Sequence, residues 1–207
     1  MAAARGIRDR FREQMRREVK EAALRQLAEG GPHALSLNAI AKELGVSGPA
    51  LYRYFAGRDA LLIELVLDAY ADLTAALTAA PLRPAGLAAA YRSWGVAQPH
   101  RYRLLFTGPL PGFDAWDERV TAAARAAMAP LLRAAGAGPA PEPALARQLR
   151  SWAGTADPAV SLHALTLWSR LHGFVSLEIE GHLAAMGLEP DLVFAAELRA
   201  LDRLISN

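Results

Sequence analysis

Cysteine is missing from this chain of 207 residues. That excludes a disulfide framework, a thiolate metal site and a thiol nucleophile. Long apolar runs are missing too. The longest uncharged stretch, around Ala159 to Ser169, holds about a dozen residues, against the ~18 that a membrane helix needs. Arg5, Arg8, Arg10 and Arg12 near the start are followed by no apolar block, so the N-terminus does not read as a signal peptide. Catalytic signatures are equally scarce: there is no Gly-x-Gly-x-x-Gly, no phosphate loop, no His-Glu-x-x-His, no Gly-x-Ser-x-Gly and no Glu-x-x-His. A soluble, cytoplasmic protein without membrane contact and without enzymatic activity is expected.

What is present points to helices. Hydrophobic residues make up 53% and charged residues 21%, enough for a sizeable core. Ala, Leu and Arg, all strong helix formers, dominate, and strand-like alternation is nearly absent. The charge is unevenly spread. Residues 1–60 carry eleven Lys and Arg against seven Asp and Glu, a net +4, which leaves −2 for the rest. A basic head on a slightly acidic body suits a polyanion partner, although a solvated helix face has the same composition.

Gly and Pro divide the chain. A first helix is expected from about Ile7 to Glu29, stopped by Gly30-Gly31-Pro32, with Ile7, Phe11, Met15 and Val19 recurring every four residues. Ser36 can cap a short helix ending at Gly45, and Ser47 another running to Phe55. A long helix from Arg58 to about Thr78 follows. Further helices are expected at 85–97, 99–106, 114–135 (kinked or restarted at Pro130), and from a mobile loop at 136–143 to Trp152. Asp157-Pro158 opens a long helix to about Met186, and Pro190 a last one to about Ile205. Gly108 to Gly112 reads as a loop.

The stretch from Ser36 to Phe55 has the grammar of a helix-turn-helix. Gly45 stands where the turn needs a positive φ, and Ala41, four residues earlier, is small where a second helix crosses. Ile40, Leu44, Val46 and Leu51 are placed to lock the pair against the first helix. In such a unit the second helix, Ser47 to Phe55, enters the major groove. Gly48, Pro49 and Ala50 permit close approach, and their contacts would be apolar. Arg53 is a candidate base reader or phosphate clamp. Tyr52 suits a phosphate or a half-buried core position, and Tyr54 either packs with Leu51 or joins the contact set. Ser36, Asn38 and Arg58 stand at helix starts, where side chain and backbone N–H groups can bind phosphate. The arm from Arg5 to Arg12 either follows DNA or is a solvated extension.

These residues resemble the DNA-binding domain of TetR-family transcriptional regulators. The likeness rests on Ala22-Ala23-Leu24, Gly30-Gly31, Leu37-x2-Ile40-Ala41-x2-Leu44-Gly45-Val46-Ser47, Leu51-Tyr52-x-Tyr54-Phe55 and Arg58-x2-Leu61-Leu62. Arg58 stands where the family commonly has Lys. Pro99-x-Arg101-Tyr102-Arg103-Leu104-Leu105-Phe106 and Trp168-x3-His172-Gly173, with Leu177-Glu178, are similar to a subfamily with a Trp-His-Gly C-terminal domain. The resemblance implies an all-α chain. Residues 1–57 would form a three-helix DNA-binding domain, joined by a long helix to an effector-binding and dimerisation bundle, the two domains dividing as 1–57 and 58–207. It also implies a homodimer through the last two long helices, a palindromic operator on double-stranded DNA, and a small effector that lowers DNA affinity.

Beyond residue 90 the aromatics offer an effector site: Tyr91, Trp94, Phe106, Trp116, Trp168 and His172 are the candidates, each also a possible core residue. Glu178 and His182 lie four apart, but no third and fourth ligand has matching spacing, so neither metal nor cofactor is expected. The last two helices carry Leu162, Leu165, Trp168, Leu171, His172, Val175 and Ile179, then Leu192, Val193, Ala196, Leu198, Leu201, Leu204 and Ile205. That is more apolar surface than one subunit's core needs. Two other classes stay open: an effector-free architectural DNA binder, which no ligand would release, and an all-helical enzyme.

Overall fold

The computed structural model describes residues 2–106, 117–154 and 157–205, with side chains from residue 9 to 201 except Pro32 within those ranges. All the described elements are helical: α1 (Ala2–Gly30), a 3-10 turn (Pro32–Ala34), α2 (Leu37–Glu43), α3 (Gly48–Tyr52), α4 (Arg58–Ala79), α5 (Pro84–Ala97), α6 (Pro99–Phe106), α7 (Glu118–Ala134), α8 (Pro143–Ala153), α9 (Pro158–Ile179), α10 (His182–Ala185) and α11 (Pro190–Ile205). None of the described helices is long and apolar enough to cross a membrane. The backbone forms two units. The first joins residues 1–69 to 100–120, the second 70–99 to 121–207, so α4 gives its first half to one and its second half to the other.

The first unit is built around one apolar cluster. Val19, Ala22 and Ala23 of α1 meet Leu37, Ile40 and Ala41 of α2, Leu51 and Phe55, and Leu61, Leu62 and Leu65 of α4. Met15, Leu44, Val46, Tyr54 and Leu104 pack at its margin. Every-fourth-residue spacing accounts for the α1 contribution, since i and i+4 share a face. Salt bridges fasten α1 to α4: Arg16 Nη2 lies 3.0 Å from Glu64 Oε2, and Lys20 Nζ 3.1 Å from Glu64 and 2.8 Å from Asp68. Burial pushes the Glu64 carboxyl up, but Lys20 and Arg16 outweigh it and hold the group below its ordinary range.

The second unit packs α5 against α9 and α11, and α8 against α9. Leu87, Tyr91 and Trp94 of α5 are buried, as are Ser161, Ala164, Leu167, Leu171 and Val175 of α9. Close approach decides the start of α5. A Cβ on Gly86 would stand 2.5 Å from the Pro81 carbonyl oxygen, so only glycine fits there. Arg92 pins three helices. Its guanidinium donates from Nε and Nη2 to the two Glu178 oxygens on α9, at 2.7 and 2.6 Å, and from Nη2 to Asp191 on α11 at 2.6 Å. It also lies 4.8 Å from the Phe194 ring centroid. Glu178, which the sequence sets four residues from His182, is thus the bidentate partner of an arginine.

Four boundaries differ from the sequence expectations, the first being that α1 starts at Ala2 rather than near Ile7. The helix expected to run to Met186 stops at Ile179. Gly181 takes φ 75°, which an α-helix cannot continue, and the short α10 follows before Gly187 turns the chain again at φ 73°. The recognition segment is helical only to Tyr52, with Tyr54 and Phe55 N–H groups closing a turn onto the Leu51 carbonyl. Glu118 starts α7, where the Asp117 carboxylate accepts from the Arg119 N–H at 2.9 Å, and the helix then continues through Pro130. The loop expected at 108–112 and the earlier start of α7 at Asp114 lie outside the described residues.

Candidate nucleic-acid interface and effector cluster

The turn between α2 and α3 is fixed from its own residues. The Ser36 hydroxyl accepts from the Ala39 N–H at 3.3 Å, and the Ser47 hydroxyl from the Ala50 N–H at 3.4 Å, so each serine caps its helix. Gly45 has φ 65°. Its neighbour Val46 donates to the Ala41 carbonyl at 2.9 Å, which draws the chain back over Ala41, itself buried. Leu51 and Phe55 anchor the other side of α3 in the apolar cluster. The helix pair therefore has one buried face and one open face, and the open face is set by core packing.

That open face carries most of the expected contact residues. Ser36, Asn38, Ser47, Pro49, Tyr52 and Arg53 are exposed, Tyr52 at 52%, while Gly48, Ala50 and Arg58 are half-buried. Asn38 Oδ1 comes within 3.7 Å of where a Gly48 Cβ would stand, so the start of α2 lies beside the start of α3. Two acids of this region are engaged by basic partners: Glu43 by Arg25 at 2.6 Å, and Asp59 by Arg58 at 3.6 Å. The two tyrosines, ambiguous in sequence, separate. Tyr52 points outward, whereas Tyr54 packs at the margin of the core.

Arg16 escaped the sequence reading. Its Nη1 donates to the Tyr54 carbonyl at 2.6 Å, and its guanidinium lies 4.5 Å from the Phe55 ring centroid. The side chain thus holds the end of the recognition segment to α1. Only its place beside Met15, in the fourfold register with Val19, hinted at a position facing the core.

Among the effector candidates, three come together. Tyr91 is buried, and its hydroxyl lies 3.4 Å from His172 Nδ1. Trp168 stacks on the same imidazole, with ring centroids 5.4 Å apart and planes 21° off parallel. Burial pushes the His172 imidazole below its ordinary pKa. Trp94, one turn from Tyr91 on α5, is buried and donates its indole N–H to Asp72 of α4 at 3.0 Å. Phe106 belongs to the first unit, edge-on to Tyr102 at 5.0 Å. Trp116 lies outside the described residues. No group of three or more potential metal ligands occurs among the described residues.

A capped, glycine-turned helix pair with an open polar and basic edge is a helix-turn-helix of the DNA-binding class. Comparison with known proteins agrees along the whole chain. Residues 20–65 match the model of bacterial regulatory proteins of the tetR family, and residues 85–201 that of the tetracyclin repressor-like C-terminal domain. HTH-type transcriptional regulators Mb1846 of Mycobacterium bovis and Rv1816 of Mycobacterium tuberculosis are each 33% identical over 226 aligned positions, covering 98% of this chain and 97% of theirs. Among solved structures, SCO4313, described as a regulatory protein, is 46% identical with TM-score 0.84, over 93% of this chain and 97% of that one. PfmR of Thermus thermophilus, a TetR family transcriptional regulator, shares the fold at TM-score 0.53 and 20% identity, over 76% of this chain and 84% of its own. The chain belongs to the TetR family of transcriptional regulators: it is an all-α DNA-binding transcription factor with an N-terminal helix-turn-helix and a helical C-terminal domain, not an enzyme.

Proposed function

We propose that the protein is a cytoplasmic repressor that binds a palindromic operator as a homodimer and leaves it when a small, largely apolar or aromatic effector binds. The observation that carries the reading is the open edge from Ser47 to Arg53, held outward by Leu51 and Phe55 beneath it. In this reading residues 1–57 read DNA and 58–207 answer to the effector and the partner. Gly48, Pro49 and Ala50 face base edges, Arg53 and Tyr54 lie at the end of the reading segment, and Tyr52, Arg58, Ser36, Asn38 and Ser47 hold phosphates. Tyr91, Trp168 and His172 supply the effector's aromatic and polar contacts.

The dimer surface is the outer side of α9 and α11. Thr166, Arg170, Gly173 and Leu177 are exposed on α9, and Leu192 and Ala196 on α11, Leu192 at 68%. Leu171, Val175 and Leu201, which the sequence alone also offered to a partner, are buried within the subunit and are not free for one. Two such helix pairs around a two-fold axis make an isologous interface. A duplex selected by the protein and placed over a reporter promoter should lower expression. A rise in expression would sink the repressor reading.

A further inference from the structure

The orientation of α3, Gly48–Tyr52, is set from beneath. Leu51 is buried in the apolar cluster of the head, at 1% exposure. At about 3.6 residues per turn, the side farthest from Leu51 is carried by Pro49 and, one turn on, by Arg53, with Ala50 and Tyr52 on the two flanks. Exposure follows that register: Pro49, Tyr52 and Arg53 are exposed and Ala50 is half-buried. The first turn of this side has no hydrogen-bonding side chain, since Gly48, Pro49 and Ala50 end in hydrogen or carbon. Pro49 has no N–H, and the Ala50 N–H turns back onto the Ser47 carbonyl at 2.9 Å. The protein's own packing does not demand Gly48. Its φ lies outside the left-handed region, and a Cβ there would meet Asn38 Oδ1 at 3.7 Å, an ordinary contact. Its small size is then free to serve the close approach of a partner.

We propose that Pro49 and Ala50 determine specificity by recognising the C5-methyl group of thymine, so that each half-site carries thymine under the first turn of α3. The inference rests on the reading of α3 as the DNA-facing helix, and adds which base feature that helix reads. In the major groove, guanine and adenine are read by paired hydrogen bonds from Arg, Lys, Asn or Gln, and cytosine by a carboxylate. The first turn of α3 carries none of these. The thymine methyl is the apolar feature that a base pair shows there, and a carbon-only side chain can bury it. Cytosine in that place lacks the methyl and presents an N4 donor that neither side chain can accept from. Discrimination therefore has an attractive and a repulsive part. Arg53, one turn further on the same side, begins the hydrogen-bonding part of the face.

The test takes a duplex that the full chain selects from a random pool and replaces its thymines by uracil, one position at a time. Uracil pairs as thymine does and lacks only the methyl group. Mobility shift at fixed salt should find a thymine in each half-site at which uracil lowers affinity about fourfold, or about fifteenfold with both half-sites changed. This measurement uses the unmodified protein, so no variant has to fold. Pro49→Ala and Ala50→Gly then locate the reader: at least one of them should bring the thymine-to-uracil affinity ratio at that position close to one. Tyr52→Phe, which changes a phosphate contact, should weaken both duplexes and keep the ratio. Uracil tolerated within about twofold at every thymine would overturn the proposal, as would a ratio that both variants leave intact. If Ala50→Glu nevertheless abolishes binding, α3 faces DNA and reads it by another feature. If the unmodified protein selects no site, both readings fall.

Discussion

Arg16 and Tyr54 are 38 residues apart, and the arginine's Nη1 donates to the tyrosine's carbonyl oxygen at 2.6 Å. This one contact ties the end of the recognition segment to the helix that supports it. Arg16→Ala removes that hydrogen bond, the stacking on Phe55 and a salt bridge to Glu64. The guanidinium is largely covered, with 23% of the side chain exposed, so the loss should be about 1–2 kcal/mol. Urea unfolding should show a lower midpoint, and duplex binding should weaken further because the segment after Tyr52 loses its tether. An unchanged midpoint would deny the contact its role.

Phosphate contacts position the protein without reading sequence. Tyr52→Phe and Arg58→Ala should therefore weaken binding to a selected site and to random duplex by similar factors. The salt slope of Arg58→Ala should be shallower by about one unit per subunit. A loss confined to the selected site would make either residue a base reader instead.

Gly173 offers a clean test of the dimer surface. It is exposed on α9, and no heavy atom lies within 4 Å of where its Cβ would stand. Gly173→Arg therefore adds a Cβ that meets nothing in the isolated subunit, at an exposed position, and arginine is the better helix former. Against a partner helix it introduces bulk and charge. Sedimentation of the unmodified protein should give about twice the 22.2 kDa of one chain. The variant should shift toward the single-chain mass with its helix content intact. A variant dimer of undiminished strength would move the interface elsewhere.

His172 should make stability depend on pH. Its folded pKa lies below the ordinary 6.5 because burial penalises the charged ring. The unfolded chain thus binds more protons in the window below 6.5, so stability is fully present above that pH and declines as pH falls through it. Thermal unfolding should show this decline, and His172→Gln should flatten it. A decline of equal size in the variant would assign it to other groups.

The turn and its caps were legible because their causes are local. A serine three residues before an N–H, or a glycine where φ must be positive, needs nothing from elsewhere in the chain. The break at Gly181 was not, since a single glycine is tolerated within a helix and only packing decides whether it turns. Arg16 and Arg92 were missed for the same reason, because their partners lie 38, 86 and 99 residues away and leave no spacing signal. Periodicity likewise showed that α9 and α11 have apolar faces. It did not say that Leu171, Val175 and Leu201 are spent on the subunit's own core while Leu177 and Leu192 stay outside.

The most direct test of the account is Ala50→Glu, read against duplexes selected by the unmodified protein from a random pool. The selected site should be palindromic, with half-sites about one helical turn or a little more apart. Ala50 is half-buried at the open edge of α3, behind the Ser47 cap, so a carboxylate there meets base edges and phosphates without entering the core. Mobility shift at fixed salt should show binding lost below detection, with helix content and dimer mass unchanged. Affinity retained within a few-fold would contradict the account, for α3 would then not be the helix that reads DNA.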